Sequence, residues 1–311
     1  MNIIPIAFAF DNNLVFPACI CMSSLMMNAA EDTFYDIFIL HSKDVQLDKS
    51  KFEILTATYD NCRIQYRVVN DVFAGAFEIR GITTPTYYRL LIPELIPEYD
   101  KIIYSDVDVI FRSDLSPVYD VDLTEKYVAA TYDIDMNLSV EGRRHIDETS
   151  GLEHGEYVQA GFVVLNTKLL RADAVQPRFI EHTRKKYKFQ DQDILNIVCS
   201  GRIAVLPWHY NMTTYSFQYM ECDYERIRDK FANSNLDLAV NSSTIHYNGQ
   251  KPWKGTCLNF DVWWEYYRKS PFFDSKYYYE FFDNLLNEYD TLTLFKRIKI
   301  LFRYFLHGRR K

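Results

Sequence analysis

No uninterrupted apolar stretch in these 311 residues is long enough to span a bilayer. The apolar run from Asn2 to Phe10 has no cationic residue before it and meets Asp11 at once, so it reads as a buried first strand rather than an export signal. Glycine is sparse, with 10 in all. No Gly-x-Gly-x-x-Gly and no Gly-x-x-x-x-Gly-Lys-[Ser/Thr] follows a predicted strand, so neither glycine-built phosphate cradle is supported. The six cysteines are scattered without paired metal spacing, and Cys19-Ile20-Cys21 is too tight for ordinary zinc geometry. Reduced thiols and a cytoplasmic location are the expectation. A basic excess is also missing: the net charge of −7 argues against a nucleic-acid partner. Acid is absent only at the end of the chain. After Asp290 come Lys296, Arg297, Lys299, Arg303, Arg309, Arg310 and Lys311, with no Asp or Glu among them.

What is present describes a soluble globular protein, 48% hydrophobic and 25% charged, long enough for a substantial core. Residues 3–10, 35–40, 63–69, 101–104, 127–131 and 161–165 read as short buried strands. Helical patterns at about 17–30, 49–59 and 87–95 fall between the early strands. That alternation predicts an α/β fold with a mostly parallel central sheet covered by helices on both faces. Ligands in such sheets bind beyond the carboxyl ends of the strands. The residues to inspect are therefore Asp11-Asn12-Asn13, Asp106-Val107-Asp108, Asp133 and Asn166.

Asp106 and Asp108 stand two apart at a strand end and so project to one side. Adjacent carboxylates repel unless a cation lies between them, and Mg²⁺ or Mn²⁺ bound to substrate phosphates is the usual occupant. Asp-x-Asp also occurs at Asp120/Asp122, Asp133/Asp135 and Asp191/Asp193, where a solvated turn or a cap accounts for it equally well. Asp106/Asp108 differs because apolar sequence flanks it on both sides, and buried carboxylates need a partner. Far downstream, His246 is followed by Gly249 and Lys251 in His-Tyr-Asn-Gly-Gln-Lys-Pro-Trp. A ligand, a close-approach glycine and a cation within six residues read as a loop closing over a metal diphosphate. An imidazole beside two carboxylates favours Mn²⁺ over Mg²⁺. Asp191-Gln192-Asp193 opens a predicted helix and offers several groups to sugar hydroxyls.

Taken in order, these elements resemble glycosyltransferase family 8. The resemblance covers about Ile3 to Trp253. It rests on Ala9–Asn13, Thr86–Leu90, Ile103–Asp108, Ala160–Asn166, Gln190–Asn196 and His246–Trp253. It implies a GT-A fold and a retaining enzyme that moves galactose or glucose from a UDP-sugar to a glycan or glycolipid acceptor with Mn²⁺, Mg²⁺ being the second choice. It implies Asp106, Asp108 and His246 as metal ligands, and Ala9, Asp11, Asn13, Asp106, Val107, Gly249 and Lys251 as nucleotide contacts. Arg89, Asp106, Gln159, Ala160, Gly161, Asp191 and Gln192 would meet the donor sugar. Asp191 and Gln192 would sit at the reacting carbon, and Asp133 on the acceptor side. The family has Asn where this chain has Gln159, which bears on the choice of hexose.

Residues 1–258 are thus expected to form the nucleotide-sugar domain, with 259–311 as an aromatic and basic helical extension. Leu292, Leu294, Phe295, Ile298, Leu301, Phe302 and Phe305 recur at near-helical spacing among the cationic residues. They suit either an anionic membrane surface or a helix docked on the domain. A sugar nucleotidyltransferase would need a basic glycine-rich loop after the first strand, where Asp11-Asn12-Asn13 stands. A sugar-binding module without chemistry gives no reason for the acidic pair.

Overall fold

A computed structural model describes residues 1–44, 47–73, 75–77, 84–153, 155–222, 225, 236–290 and 292–307. Seven strands make the main sheet: β1 (Asn2–Ala9), β2 (Thr33–Ser42), β3 (Cys62–Val69), β4 (Ile102–Ser105), β6 (Val128–Tyr132), β7 (Val158–Leu165) and β8 (Ile203–Leu206). Their order across the sheet is β3-β2-β1-β4-β7-β6-β8. All are parallel except β7, which runs against both β4 and β6. A smaller sheet joins β5 (Val109–Ile110), β10 (Ile245–His246) and β9 (Met212–Thr213), with β10 in the middle.

Each strand predicted from an apolar run exists: those at 35–40, 63–69 and 161–165 are longer by one to three residues at an end, and those at 3–10, 101–104 and 127–131 are shifted by one residue. β7 is buried at every position, as a central strand covered on both faces must be. Two apolar clusters result. One packs the helices Val15–Met27 and Ser50–Thr58 through Ala18, Met22, Leu25, Phe52 and Leu55 against Ile4, Ile6, Phe8 and Ile37 of the sheet. The other sets Leu90, Leu91, Ile92, Ile194 and Val198 against Ala7, Phe38, Tyr104 and Val163 on the opposite face.

Two expectations are corrected. The helix predicted near 87–95 is a 3-10 helix, Thr84–Leu91, followed by a single α-turn, Ile92–Leu95, with Pro93 in its first positions. Proline has no N–H to donate and its ring crowds the turn before it, so one continuous α-helix cannot pass through. The sequence expectation puts Asn166 at the ligand end of the sheet. Because β7 is antiparallel, its last residue lies at the far end, where Asn166 accepts from Leu169 N–H and caps the helix Thr167–Ala172. The start of β7, Val158 to Gly161, takes its place beside the ends of β4 and β6.

After β10 the helix Phe260–Lys269 packs Trp263, Trp264 and Tyr267 against Ile20, Ile110, Ile245 and Tyr247. The helix Ser275–Asp290 adds Tyr278, Phe281 and Phe282 to the same cluster. The last described helix, Leu294–His307, does not dock: Leu294, Phe295 and Phe305 are 74%, 77% and 78% exposed. Arg309, Arg310 and Lys311 lie outside the described residues. Among the described residues no helix is long and apolar enough to cross a membrane.

Candidate active site

A cavity of about 840 Å³ opens at the ends of β1, β4 and β6 and the start of β7. Every residue that the family resemblance implied for the site lines it except Asn13, whereas Asp193, read from the sequence as facing sugar hydroxyls, does not. Asn13 is exposed and donates its backbone N–H to the Asp11 carboxylate, 2.9 Å away, in the turn after β1.

The acidic pair meets the distant histidine here. Oxygens of Asp106 and Asp108 and one ring nitrogen of His246 all lie within 4.8 Å of one another. His246 Nε2 is 3.4 Å from Asp108 Oδ1 and 3.8 Å from Asp106 Oδ2. β10 makes this meeting possible, because His246 pairs with Val109 directly after Asp108. Gly161 leaves the space. A Cβ there would collide with His246 Cε1 and stand 2.9 Å from Asp106 Oδ2. Two carboxylates and an imidazole with three ligand atoms converging fit a divalent cation with mixed oxygen and nitrogen preference.

Both carboxylates are already partly engaged. Asp106 Oδ1 accepts from Arg89 and from Tyr104 Oη, each at 2.8 Å, leaving Oδ2 toward His246. Asp108 Oδ2 pairs with the Lys251 ammonium, which also donates to Tyr247 O at 2.5 Å. Burial pushes the Asp108 carboxyl up, but the Lys251 ammonium, joined by His246 when the imidazole is charged, more than offsets this and holds it below the usual carboxylate range. It is therefore ionised and ready to ligate at any physiological pH.

Arg89 links this cluster to Asp191. Its side chain is 5% exposed, donates to Asp106 and to the carbonyls of Ala160 and Thr86, and forms an ion pair with Asp191 Oδ2 at 3.1 Å. Burial opposes its charge, yet the two carboxylates keep its pKa above the usual value. Thr86 Oγ1 donates to Asp191 Oδ1 at 2.6 Å. In a 3-10 helix, residues three apart eclipse, which is how Thr86 and Arg89 both reach one carboxylate. Asp191, whose place in the sequence equally suits a helix cap, lies inside the first turn of Gln190–Val198 and caps nothing. The turn into that helix puts Gln190 at φ 42°, an uncommon conformation for a non-glycine residue.

Gln192 is oriented by its neighbours. Its Oε1 accepts from Ala160 N–H at 3.1 Å and its Nε2 donates to Asp133 Oδ2 at 3.0 Å. Gln159 Nε2 donates to the same Asp133 oxygen at 2.5 Å. Asp133 has no cation among these partners, and burial pushes its carboxyl up to about 6 against the pull of Met136 N–H, Gln192 and Gln159. The neighbouring Asp193 is fully buried, accepting from Tyr157 Oη (2.5 Å) and Phe189 N–H (2.9 Å) and pairing with His145 Nε2 (2.9 Å).

The sequence model of glycosyl transferase family 8 matches residues 5–257. The chain belongs to that family. It is 26% identical over 263 residues to a lipopolysaccharide 1,2-glucosyltransferase of Escherichia coli, covering 80% of this chain and 72% of the relative. Galactosyltransferase LgtC, solved with donor and acceptor sugar analogs, is 25% identical with a TM-score of 0.72, covering 88% of this chain and 99% of LgtC. The bifunctional glycosyltransferase WbbM is 27% identical with a TM-score of 0.74, and the match spans 89% of this chain but 51% of WbbM. The fold is thus the GT-A fold that the resemblance implied, and the protein is a glycosyltransferase.

Some residues of this family-8 site are given no role by the sequence motifs. Tyr104, two residues before Asp106 and on the same side of β4, donates to its carboxylate and underlies Arg89, whose Cζ is 4.2 Å from the ring centroid. The period-two rule could have found it. Glu141, Lys188, Phe189 and Tyr215 also line the cavity. Asn211 contacts His246, and no local pattern points to it.

Proposed function

We propose that this enzyme transfers a hexose, galactose or glucose, from a UDP-sugar to a glycan or glycolipid acceptor with retention of anomeric configuration. Asp106, Asp108 and His246 would hold the divalent cation, Mn²⁺ by the chemistry of the set. The convergence of these three side chains beside a Gly161 that leaves room for them carries the reading. A cation bound there would supply positive charge to the diphosphate as it departs.

The chain's own residues do the rest. Lys251 pairs with Asp108 here, and a ligated Asp108 would free its ammonium for a phosphate oxygen, with Gly249 allowing close approach. Ala9, Asp11, Asn13 and Val107 would meet the nucleoside. Arg89 and Asp191, locked to each other, would present fixed groups to the donor hydroxyls, with Gln159, Ala160 and Gly161 around the ring. The carboxylates around Gln192 are all held by other groups: Asp191 is paired to Arg89 and Thr86, Asp193 is buried behind Tyr157 and His145, and Asp133 is tied to Gln159, Gln192 and Met136 N–H. Gln192 is a poor nucleophile. Front-face attack follows, with the bond from the acceptor oxygen forming as the bond to UDP breaks, and the acceptor proton passing to a UDP phosphate oxygen. Asp133 would face the acceptor side.

Residues 1–258 would carry this chemistry and 259–311 would serve as an extension. Its exposed helix Leu294–His307 would lie against an anionic, cytoplasmic membrane surface that bears the acceptor. UDP-glucose, UDP-galactose and their N-acetyl forms, each assayed for Mn²⁺-dependent UDP release, test the reading. One of the two hexoses should react, Asp108→Ala should abolish that turnover, and proton NMR should show an α-linkage from the α-donor. Full activity of Asp108→Ala would remove the metal assignment, and a β-linked product would remove retention.

A further inference from the structure

We infer that Asn211 is the positioning residue of the cation site: its side-chain carbonyl holds the His246 imidazole in the Nδ1–H form and so turns the Nε2 lone pair toward Asp106 and Asp108. The inference rests on the reading of those three residues as cation ligands. Asn211 is 1% exposed, and its Oδ1 lies 3.0 Å from His246 Nδ1. Its Nδ2 has no hydrogen-bond partner among the described residues. A buried amide that leaves an N–H bare is uncommon enough to need a reason.

The two orientations of that amide have opposite consequences. With Nδ2 turned inward, the ring would accept at Nδ1 and carry its proton on Nε2, pointed at Asp108 Oδ1 and Asp106 Oδ2, 3.4 and 3.8 Å away. A protonated Nε2 cannot ligate. With Oδ1 inward, as found, the proton sits on Nδ1 and Nε2 is left as a donor atom for a cation. This is the outer-shell device that fixes ring orientation and basicity in histidine metal sites.

The backbone delivers Asn211 to this place. It closes the 3-10 turn Trp208–Tyr210, its N–H donating to Trp208 O at 2.9 Å, and leads straight into β9. β9 pairs in parallel with β10, setting Thr213 opposite His246. Against the edge of the same ring, Gly161 supplies the space into which Cε1 fits. The imidazole is thereby located by a glycine and oriented by an amide. The Asn-x-Thr triplet that begins at Asn211 is buried throughout.

Mn²⁺ titration of the full chain in the presence of UDP, followed by the electron paramagnetic resonance of free Mn²⁺, tests the assignment. Asn211→Leu should weaken binding about 10–100-fold while far-UV circular dichroism stays native. Asn211→Asp should bind at least as tightly as the unaltered chain, because a carboxylate accepts from Nδ1–H in either orientation. Nitrogen-15 NMR of the unaltered, metal-free chain should place the His246 proton on Nδ1 and needs no variant to fold. Leucine binding within twofold of the unaltered chain overturns the inference. So does a folded aspartate variant as weak as leucine, or a proton found on Nε2. An unaltered chain that binds no Mn²⁺ with UDP brings down the ligand reading itself, a result distinct from normal binding that ignores position 211.

Discussion

Gly161 and Asp133 show how single residues of this site are constrained by what surrounds them rather than by their own chemistry. Gly161 takes an ordinary strand conformation, so its need for glycine is one of space: His246 and Asp106 occupy the volume a methyl group would fill. Gly161→Ala should displace the imidazole and lower cation-dependent turnover by at least about 100-fold, since displacements near 1 Å in a catalytic constellation cost that much. Steady-state kinetics beside a thermal melt would check it, with the fold retained. An alanine variant of normal activity would mean the ring does not need its present seat.

Asp133 is a buried carboxyl whose pKa is pushed up to about 6, chiefly by burial. A carboxyl raised in the folded state binds its proton more tightly there than in the unfolded chain. Its contribution to stability is therefore greatest below the ordinary carboxylate range and falls as pH climbs through the interval up to about 6. Asp133→Asn removes the titration while keeping an oxygen for Gln159 and Gln192. Relative to that variant, the unaltered protein should lose roughly 1–3 kcal/mol of stability between pH 4 and 7, because a tenfold difference in proton affinity between folded and unfolded chains is worth about 1.4 kcal/mol. Denaturant melts of both proteins across that range measure it, and a constant difference would show that the carboxyl is not desolvated in solution.

Among elements, the most telling is the 3-10 helix Thr84–Leu91. Its motif is legible as Thr86-Tyr87-Tyr88-Arg89-Leu90, but its geometry is not, because apolar spacing in so short a segment does not separate periods of 3.0 and 3.6. The tighter period is what aligns Thr86 with Arg89 on Asp191. β7 teaches the same lesson for direction. Its burial is readable from Ala160-Gly161-Phe162-Val163-Val164-Leu165, whereas its antiparallel course, which brings Gln159–Gly161 to the cavity and sends Asn166 away, depends on partners elsewhere in the chain. The exposed apolar face of Leu294–His307 is the element left undocked among the described residues, and its basic residues suit an anionic surface. Deleting residues 292–311 should leave turnover on a soluble acceptor intact while reducing co-sedimentation with anionic phospholipid vesicles at least tenfold. Unchanged co-sedimentation would remove membrane attachment from that helix.

At the scale of the whole molecule, an acidic body that holds the candidate site is joined to a cationic end; the net charge of −7 hides that division. Within the body, two sheets cooperate. The seven-stranded sheet offers Asp106, Asp133 and the start of β7, and the small sheet with the loop after β10 sets His246 and Lys251 beside them. Asp108 and Lys251 are 143 positions apart in the chain yet form an ion pair. Strand composition, the acidic pair after an apolar run and the histidine loop were all determined by the sequence alone, because burial periodicity and side-chain chemistry are local properties. Tertiary structure alone decided that Tyr104 would brace Arg89, that Gly161 would yield space to an imidazole and that Asn211 would meet its far nitrogen. Those contacts follow from strand order and register, which arise only when the entire core packs at once and no window of sequence encodes by itself.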